Sequence, residues 1–121
     1  MIEVRNLTKV YGKKKAVDDL SFTIEDGEIF GFLGPNGAGK STTMNIITGC
    51  LSATEGTVVI DGNDIFEEAY KAKKNVGYLP EQPPLYMDMT VEEYLRFVAE
   101  AKKVKKDKLP EEVDRVMKKT S

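Results

Sequence analysis

Residues 34–41 read Gly-Pro-Asn-Gly-Ala-Gly-Lys-Ser: a glycine, four residues, then Gly-Lys-Ser. An apolar, strand-sized run at residues 28–33 precedes them, and a helical pattern over residues 40–50 follows. Strand, glycine loop and helix in that order form the context in which such a loop cradles phosphate. Glycines permit positive φ and let the backbone approach a ligand closely. Successive N–H groups then point into one concavity, and the helix N-terminus adds partial positive charge. In that geometry Asn36, Gly37, Ala38 and Gly39 line the concavity. Lys40 reaches the β- and γ-phosphates, and the Ser41 hydroxyl ligates Mg²⁺. Thr42 and Thr43 donate to the α- and β-phosphates. The bland alternative is a glycine-rich turn that binds nothing; it leaves the agreement of strand, loop, Lys-Ser and helix unexplained.

The 121 residues allow about one small domain, and 40% hydrophobic content permits a core. Eighteen Lys and Arg stand against twenty Asp and Glu, a net charge of -2. That balance gives no reason to expect nucleic acid as a partner. The single cysteine, Cys50, excludes an internal disulfide and fits a reducing cytoplasm. No apolar run approaches the roughly 18 residues of a membrane span. The chain has no histidine, which removes imidazole acid-base chemistry and imidazole metal ligands.

Ile2, Val4, Leu7, Val10 and Tyr11 suggest an opening strand with imperfect alternation. Gly12 and residues 13–15 read as an exposed turn. Residues 17–24 form a second strand, with Leu20, Phe22 and Ile24 on one face. Asp26-Gly27 is a turn, and residues 28–33 read as a buried strand. The helix after the loop is expected to turn Met44, Ile47 and its neighbours inward. Residues 56–60 are strand-like and close at Asp61-Gly62. Residues 67–74 form a short helix, and residues 76–79 a strand stopped by Pro80. Thr90 with Glu93 makes a capping box for a helix carrying Tyr94, Phe97, Val98 and Ala101. A basic connector, residues 102–108, leads to a last helix that starts at Pro110 and aligns Val113, Val116 and Met117.

The stretch LTKVYGKKKAVDDLSFTIEDGEIFGFLGPNGAGKSTTMNIITG resembles the ATP-binding subunits of ABC transporters. So do GTVVIDGNDI and VGYLPEQPPLYMDMTVEEYLRFVAE, and the resemblance covers nearly the whole chain. The YLPE-x-PPLY wording looks most like the exporter-type subfamily of multidrug and ABC-2 transporters. The resemblance implies an α/β fold: the N-terminal half of a P-loop NTPase of the ABC ATPase kind. An antiparallel β arm would accompany an incomplete RecA-like core. Residues 1–80 would hold the arm and the phosphate loop. Residues 81–121 would hold a Q-loop-like region and the start of the helical part. ATP and Mg²⁺ are the implied ligands. The implied partners are a transmembrane transporter subunit and a second ATP-binding subunit, at the cytoplasmic face of the cell membrane.

Within that resemblance Tyr11 stacks on adenine, which needs only a flat π face, and Val17 flanks the base or ribose. A strand-end tyrosine packing locally is the plainer alternative for Tyr11. The family's glutamine, which touches Mg²⁺ and the attacking water, falls on Glu81 or its neighbour Gln82. Both carry an oxygen able to ligate Mg²⁺, and the choice between them stays open.

Three family features do not occur in these residues: the Leu-Ser-Gly-Gly-Gln signature, an apolar strand ending in Asp-Glu, and the switch histidine. Val58-Val59-Ile60-Asp61 has the form of a strand ending in a metal-binding aspartate, but Asp61-Gly62 reads as the turn of the β arm. No catalytic set is complete. The chain therefore reads as an N-terminal fragment that binds nucleotide and turns it over negligibly. Residues 28–33 and 76–79 would then have open edges and uncovered apolar faces. Such a fragment is expected to self-associate, swap elements or pair its strands in another order. A self-sufficient kinase or GTPase is disfavoured: Asn45, Asn63 and Asn75 are not followed by Lys, as a guanine reader requires.

Overall fold

A computed structural model describes residues 1–35 and 37–121; Asn36 lies outside the described residues. The chain divides into two compact units, Met1–Tyr78 and Leu79–Ser121.

In the first unit β1 (Ile2–Tyr11) turns through Gly12 and Lys13 into β2 (Lys14–Ile24). The helix α1 (Lys40–Ile47) follows the glycine loop. Next come β3 (Glu55–Ile60), the two-residue β4 (Asn63–Asp64) and α2 (Ala69–Lys74). The four strands form one antiparallel sheet in the order β2-β1-β3-β4. Ile2 lies opposite both Ile24 and Ile60, and Val4 opposite both Phe22 and Val58.

The imperfect alternation of β1 has a structural cause. The ladder with β2 shifts register between Val4 and Leu7. Asn6 and Asp19 both take positive φ there, and the Asn6 amide donates to the Asp19 carboxylate at 2.9 Å. An extra residue in one strand re-phases the side chains after it. Val4 and Leu7, three apart, are therefore both buried. They join Val17, Val58 and Ile60 of the sheet, Ile46 and Ile47 of α1, and Ile65 and Ala72 in one core.

The turn after β4 is held by Asp64. Its carboxylate accepts from the backbone N–H of Phe66 at 2.8 Å and of Glu67 at 3.1 Å, and from the Thr57 hydroxyl. Burial pushes this carboxyl up, but the Thr57 hydroxyl and the two N–H groups outweigh it and hold it below its ordinary value. A carboxyl lowered on folding stabilises the fold above its unfolded pKa, and that contribution is lost as pH falls through the folded value. Thermal melts between about pH 5 and pH 2 should therefore lose less stability in Asp64→Asn than in the parent. Equal pH slopes in the two proteins would refute this role.

Several expectations are corrected. Residues 28–33 and 76–79 are not in the sheet, because no described strand lies beside either to close a ladder. Neither pairs with the other strands in a different order. Ile29 is 100% exposed and Leu33 94%. Met44 is not inward: it is exposed, while Thr43, Ile46 and Ile47 form the buried face of α1. A helical period of 3.6 sets that face, and Met44 falls just outside it. Asp61 sits in the turn after β3 and accepts from the Met1 ammonium at 2.8 Å, so it is a turn residue as expected.

The second unit is a helical hairpin. In α3 (Val91–Ala101) the capping box is complete: Glu93 N–H donates to Thr90 Oγ1 at 3.2 Å, and Thr90 N–H to the Glu93 carboxylate at 2.8 Å. In α4 (Leu109–Thr120) Pro110 occupies the first turn, and Leu109 and Val113 are buried. Tyr86 meets Phe97 edge-on at 5.6 Å.

Candidate functional site

The loop between residues 34 and 39 is braced from two sides. Ala38 N–H donates to the Pro35 carbonyl at 3.1 Å. Gly37 and Gly39 take φ of 84° and 90°, the left-handed region that favours glycine. Behind Gly39 stands β2: a Cβ there would run into the carbonyl oxygen of Ala16. Around Gly37 there is open space. The two glycines thus serve different ends, one letting the loop lie against the sheet and the other facing outward.

Gly39 is also the N-cap of α1, and it brings no side-chain hydrogen bond. The first turn of α1 contains no acidic residue. The opening N–H groups of a helix have no intrahelical acceptor and carry partial positive charge. Among the described residues no side-chain cap competes for them, an arrangement that suits an anion. Lys40 Nζ donates to the Gly34 carbonyl and, at 3.2 Å, to the Pro35 carbonyl. The ammonium is therefore folded back over the loop.

The remaining expected residues divide by exposure. Ser41 is exposed and Thr42 half-buried on the first turn. Thr43 is 1% exposed, and its hydroxyl donates to the Gly39 carbonyl at 2.8 Å. That hydroxyl is spent inside the fold, tying α1 to its cap. Val17 is buried beneath the loop in the core, with its side chain against Gly39. A cavity of about 460 Å³ runs beside it, lined in part by Lys15, Phe32, Gly37, Ala38 and Lys40. Tyr11, at the end of β1, is half-exposed, with the Lys9 ammonium 5.3 Å from its ring centroid. Lys9 was absent from the sequence reading, yet positions 9 and 11 share a face by the two-residue period of a strand. Glu81 and Gln82 lie in the second unit, both exposed in a bend. Asn36 is outside the described residues. No group of three or more Cys, Asp and Glu able to hold a metal occurs among the described residues.

The sequence profile of the family described as ABC transporter matches residues 17–121. An ABC transporter ATP-binding protein of Bacillus subtilis, YhcH, is 43% identical over 117 residues, which is 96% of this chain and 38% of its own length. The lipopolysaccharide export system ATP-binding protein LptB of Haemophilus influenzae is 39% identical over 114 residues, 93% of this chain and 46% of its own length. Among solved structures, the ATP-binding cassette MJ0796, a dimer in a post-hydrolysis state bound to ADP and Pi, matches with a TM-score of 0.81 at 27% identity. That match covers 98% of this chain and 56% of the MJ0796 chain. The chain thus spans less than two thirds of the length of these relatives. A glycine loop braced on β2 at the head of an uncapped helix, within a profile match over most of the residues, decides the matter: this chain belongs to the ABC transporter family, over the part of its ATP-binding domain that carries the phosphate loop.

Proposed function

We propose that these residues bind MgATP as part of the ATPase subunit of an exporter, and that alone they turn it over negligibly. The observation that carries the reading is the α1 N-terminus. It has no side-chain cap and no acid in its first turn, and Lys40 is folded over it. Backbone N–H groups of residues 37–42 and the Lys40 ammonium hold the phosphate chain. Ser41 would supply an oxygen to Mg²⁺, which when bound neutralises phosphate charge, and Glu81 or Gln82 is the proposed counterpart of the family's glutamine. Tyr11 offers a ring face to adenine, and Lys9 fixes the ring from one side. The resulting contacts favour ground-state binding. The groups that act on the transition state in the family, the signature and the catalytic Asp-Glu, have no counterpart in these residues.

The YLPE-x-PPLY wording and the likeness to an export-system protein support the direction of transport. No described helix is long and apolar enough to cross a membrane. The proposed place is the cytoplasmic face, held there by a membrane subunit and working with a second ATP-binding subunit. MJ0796 is itself dimeric.

A second reading has its own observation. The exposure of Ile29 and Leu33 on an unpaired segment favours self-association of the chain through that edge. One experiment addresses both. A fluorescent ATP analogue is titrated while light scattering follows mass. Saturation at or below about millimolar nucleotide with MgATP competing supports nucleotide binding. No saturation there, with mass growing with concentration, favours the assembly reading. Steady ATP hydrolysis by the pure chain would refute the claim of negligible turnover.

A further inference from the structure

Two segments wall the cavity beside the glycine loop. β2 contributes Lys15, Val17 and Asp18, and the loop with the head of α1 contributes Gly37, Ala38 and Lys40. Two lysines from separate segments therefore line one space of about 460 Å³. Lys40 belongs to the loop. Lys15 does not: it is the second residue of β2.

A bulge sets Lys15 there. Lys9 pairs with Val17 and Val10 with Lys15, so one step along β1 spans two along β2, and Ala16 is the extra residue. In a regular strand positions 15 and 18 would lie on opposite faces. The extra residue re-phases them to one side, where Lys15 Nζ donates to the Asp18 carboxylate at 3.2 Å. Both side chains are more than half exposed, so the pair is open to solvent and to a ligand. The same extra residue carries the carbonyl against which Gly39 is set.

Along β2, Lys15 lies between two proposed nucleotide contacts. Lys14 is opposite Tyr11, which offers its ring to adenine. Val17 lies against Gly39, at the phosphate end. A nucleotide with its base on Tyr11 and its β- and γ-phosphates at Lys40 brings its α-phosphate past residues 15 and 16. Ala16 has no polar side chain to offer it. Lys15 has three donors and a charge.

We propose that Lys15 binds the α-phosphate of the nucleotide, drawn from or shared with Asp18. This rests on the MgATP reading above and adds a contact to it. Asp18 is a carboxylate in a cavity for an anion, and it opposes phosphate except as Lys15 neutralises it. The two side chains therefore act on one ligand with opposite sign. The two lysines divide the phosphate chain: Lys15 serves every nucleotide with an α-phosphate, and Lys40 serves those that extend to β and γ.

The test is competition of ATP, ADP and AMP against a fluorescent ATP analogue, on the full chain, for the parent, Lys15→Gln, Asp18→Asn and Lys40→Ala. An exposed charge contact corresponds to about two- to fivefold in affinity. Lys15→Gln should weaken ATP, ADP and AMP by one common factor of that size. Asp18→Asn should tighten them. Lys40→Ala should weaken ATP most and AMP least. Raising salt from about 0.05 M to about 0.5 M should shrink the Lys15 and Asp18 effects together, which a change in the fold would not do. Unchanged affinities in Lys15→Gln overturn the proposal. Weakening in Asp18→Asn also overturns it, since breaking the pair from either side would then act only through the fold. A loss in Lys15→Gln confined to ATP moves the contact to the γ-phosphate and overturns it too. A parent that binds no ATP shows that the reading of the phosphate loop has failed, and the proposal with it. A parent that binds ATP and responds to Lys40→Ala, but not to Lys15→Gln, shows that the proposal alone has failed.

Discussion

Lys40→Ala should lower nucleotide affinity by about ten- to a hundredfold while leaving the fold in place. The magnitude follows from the charge. An ammonium-phosphate hydrogen bond is roughly twice as strong as a neutral one, and Lys40 Nζ already lies over the loop, bonded to the carbonyls of Gly34 and Pro35. The effect on stability is small because two contributions oppose. The substitution forfeits those carbonyl bonds. It also removes a cation from the positive end of α1, where a helix disfavours one. Two measurements separate the effects: titration with a fluorescent ATP analogue, and denaturant unfolding of the same samples. A triphosphate affinity within twofold of the parent would show that the loop does not hold phosphate. A collapse of the unfolding midpoint would show that Lys40 is structural.

Gly39→Ala should cost far more stability than Gly37→Ala, although both glycines have nearly the same φ. The shared part is conformational: an L-residue in the left-handed region costs about 1 kcal/mol. The difference is steric. At Gly37 a methyl group meets open space. At Gly39 it meets the backbone carbonyl of Ala16. Ala16 is the extra residue at a register shift in β2, and the pairs flanking it, Val10 opposite Lys15 and Lys9 opposite Val17, limit how far its carbonyl can retreat. Either α1 moves off the sheet, opening the contacts of Ile46 and Ile47 with the core, or the loop distorts. We expect Gly37→Ala to lose about 1 kcal/mol and Gly39→Ala about 3 kcal/mol or more, by urea unfolding. Nucleotide affinity should fall with Gly39→Ala as the helix N-terminus is displaced. Equal losses in the two variants would mean that β2 does not brace the loop.

The sequence made the local elements legible wherever one short-range cause acts alone. The capping box at Thr90 and Glu93 closes within four residues and formed as read. The turns at Asp26-Gly27 and Asp61-Gly62 are set by their own residues. The glycine loop and the helix after it formed as Gly-x-x-x-x-Gly-Lys-Ser implies, with Gly37 and Gly39 at positive φ. Reading failed where the cause is distant. Residues 28–33 carry strand composition, but strand structure requires a neighbour to close the ladder, and no window of sequence supplies one. Met44 was read as inward from hydrophobicity, but the face of α1 is chosen by where the sheet lies, and that face is Thr43, Ile46 and Ile47. Thr43 is buried by the core, and its hydroxyl donates locally to the Gly39 carbonyl four residues back.

What the sequence determined by itself was the chemistry of the site: a run of glycines, one lysine and one serine at fixed spacing, whose donors and charge suit phosphate in any fold that sets a helix behind them. The tertiary structure alone decided which of those residues are exposed and what holds the loop in place. Gly39 pressed against Ala16, Val17 beneath the loop, and Tyr78 bonded to Asn45 are contacts between segments 20 or more residues apart, or between separate strands and helices. Such contacts exist only when the chain's entropy has been overcome by a shared core, and that core is built jointly by the sheet, α1 and α2.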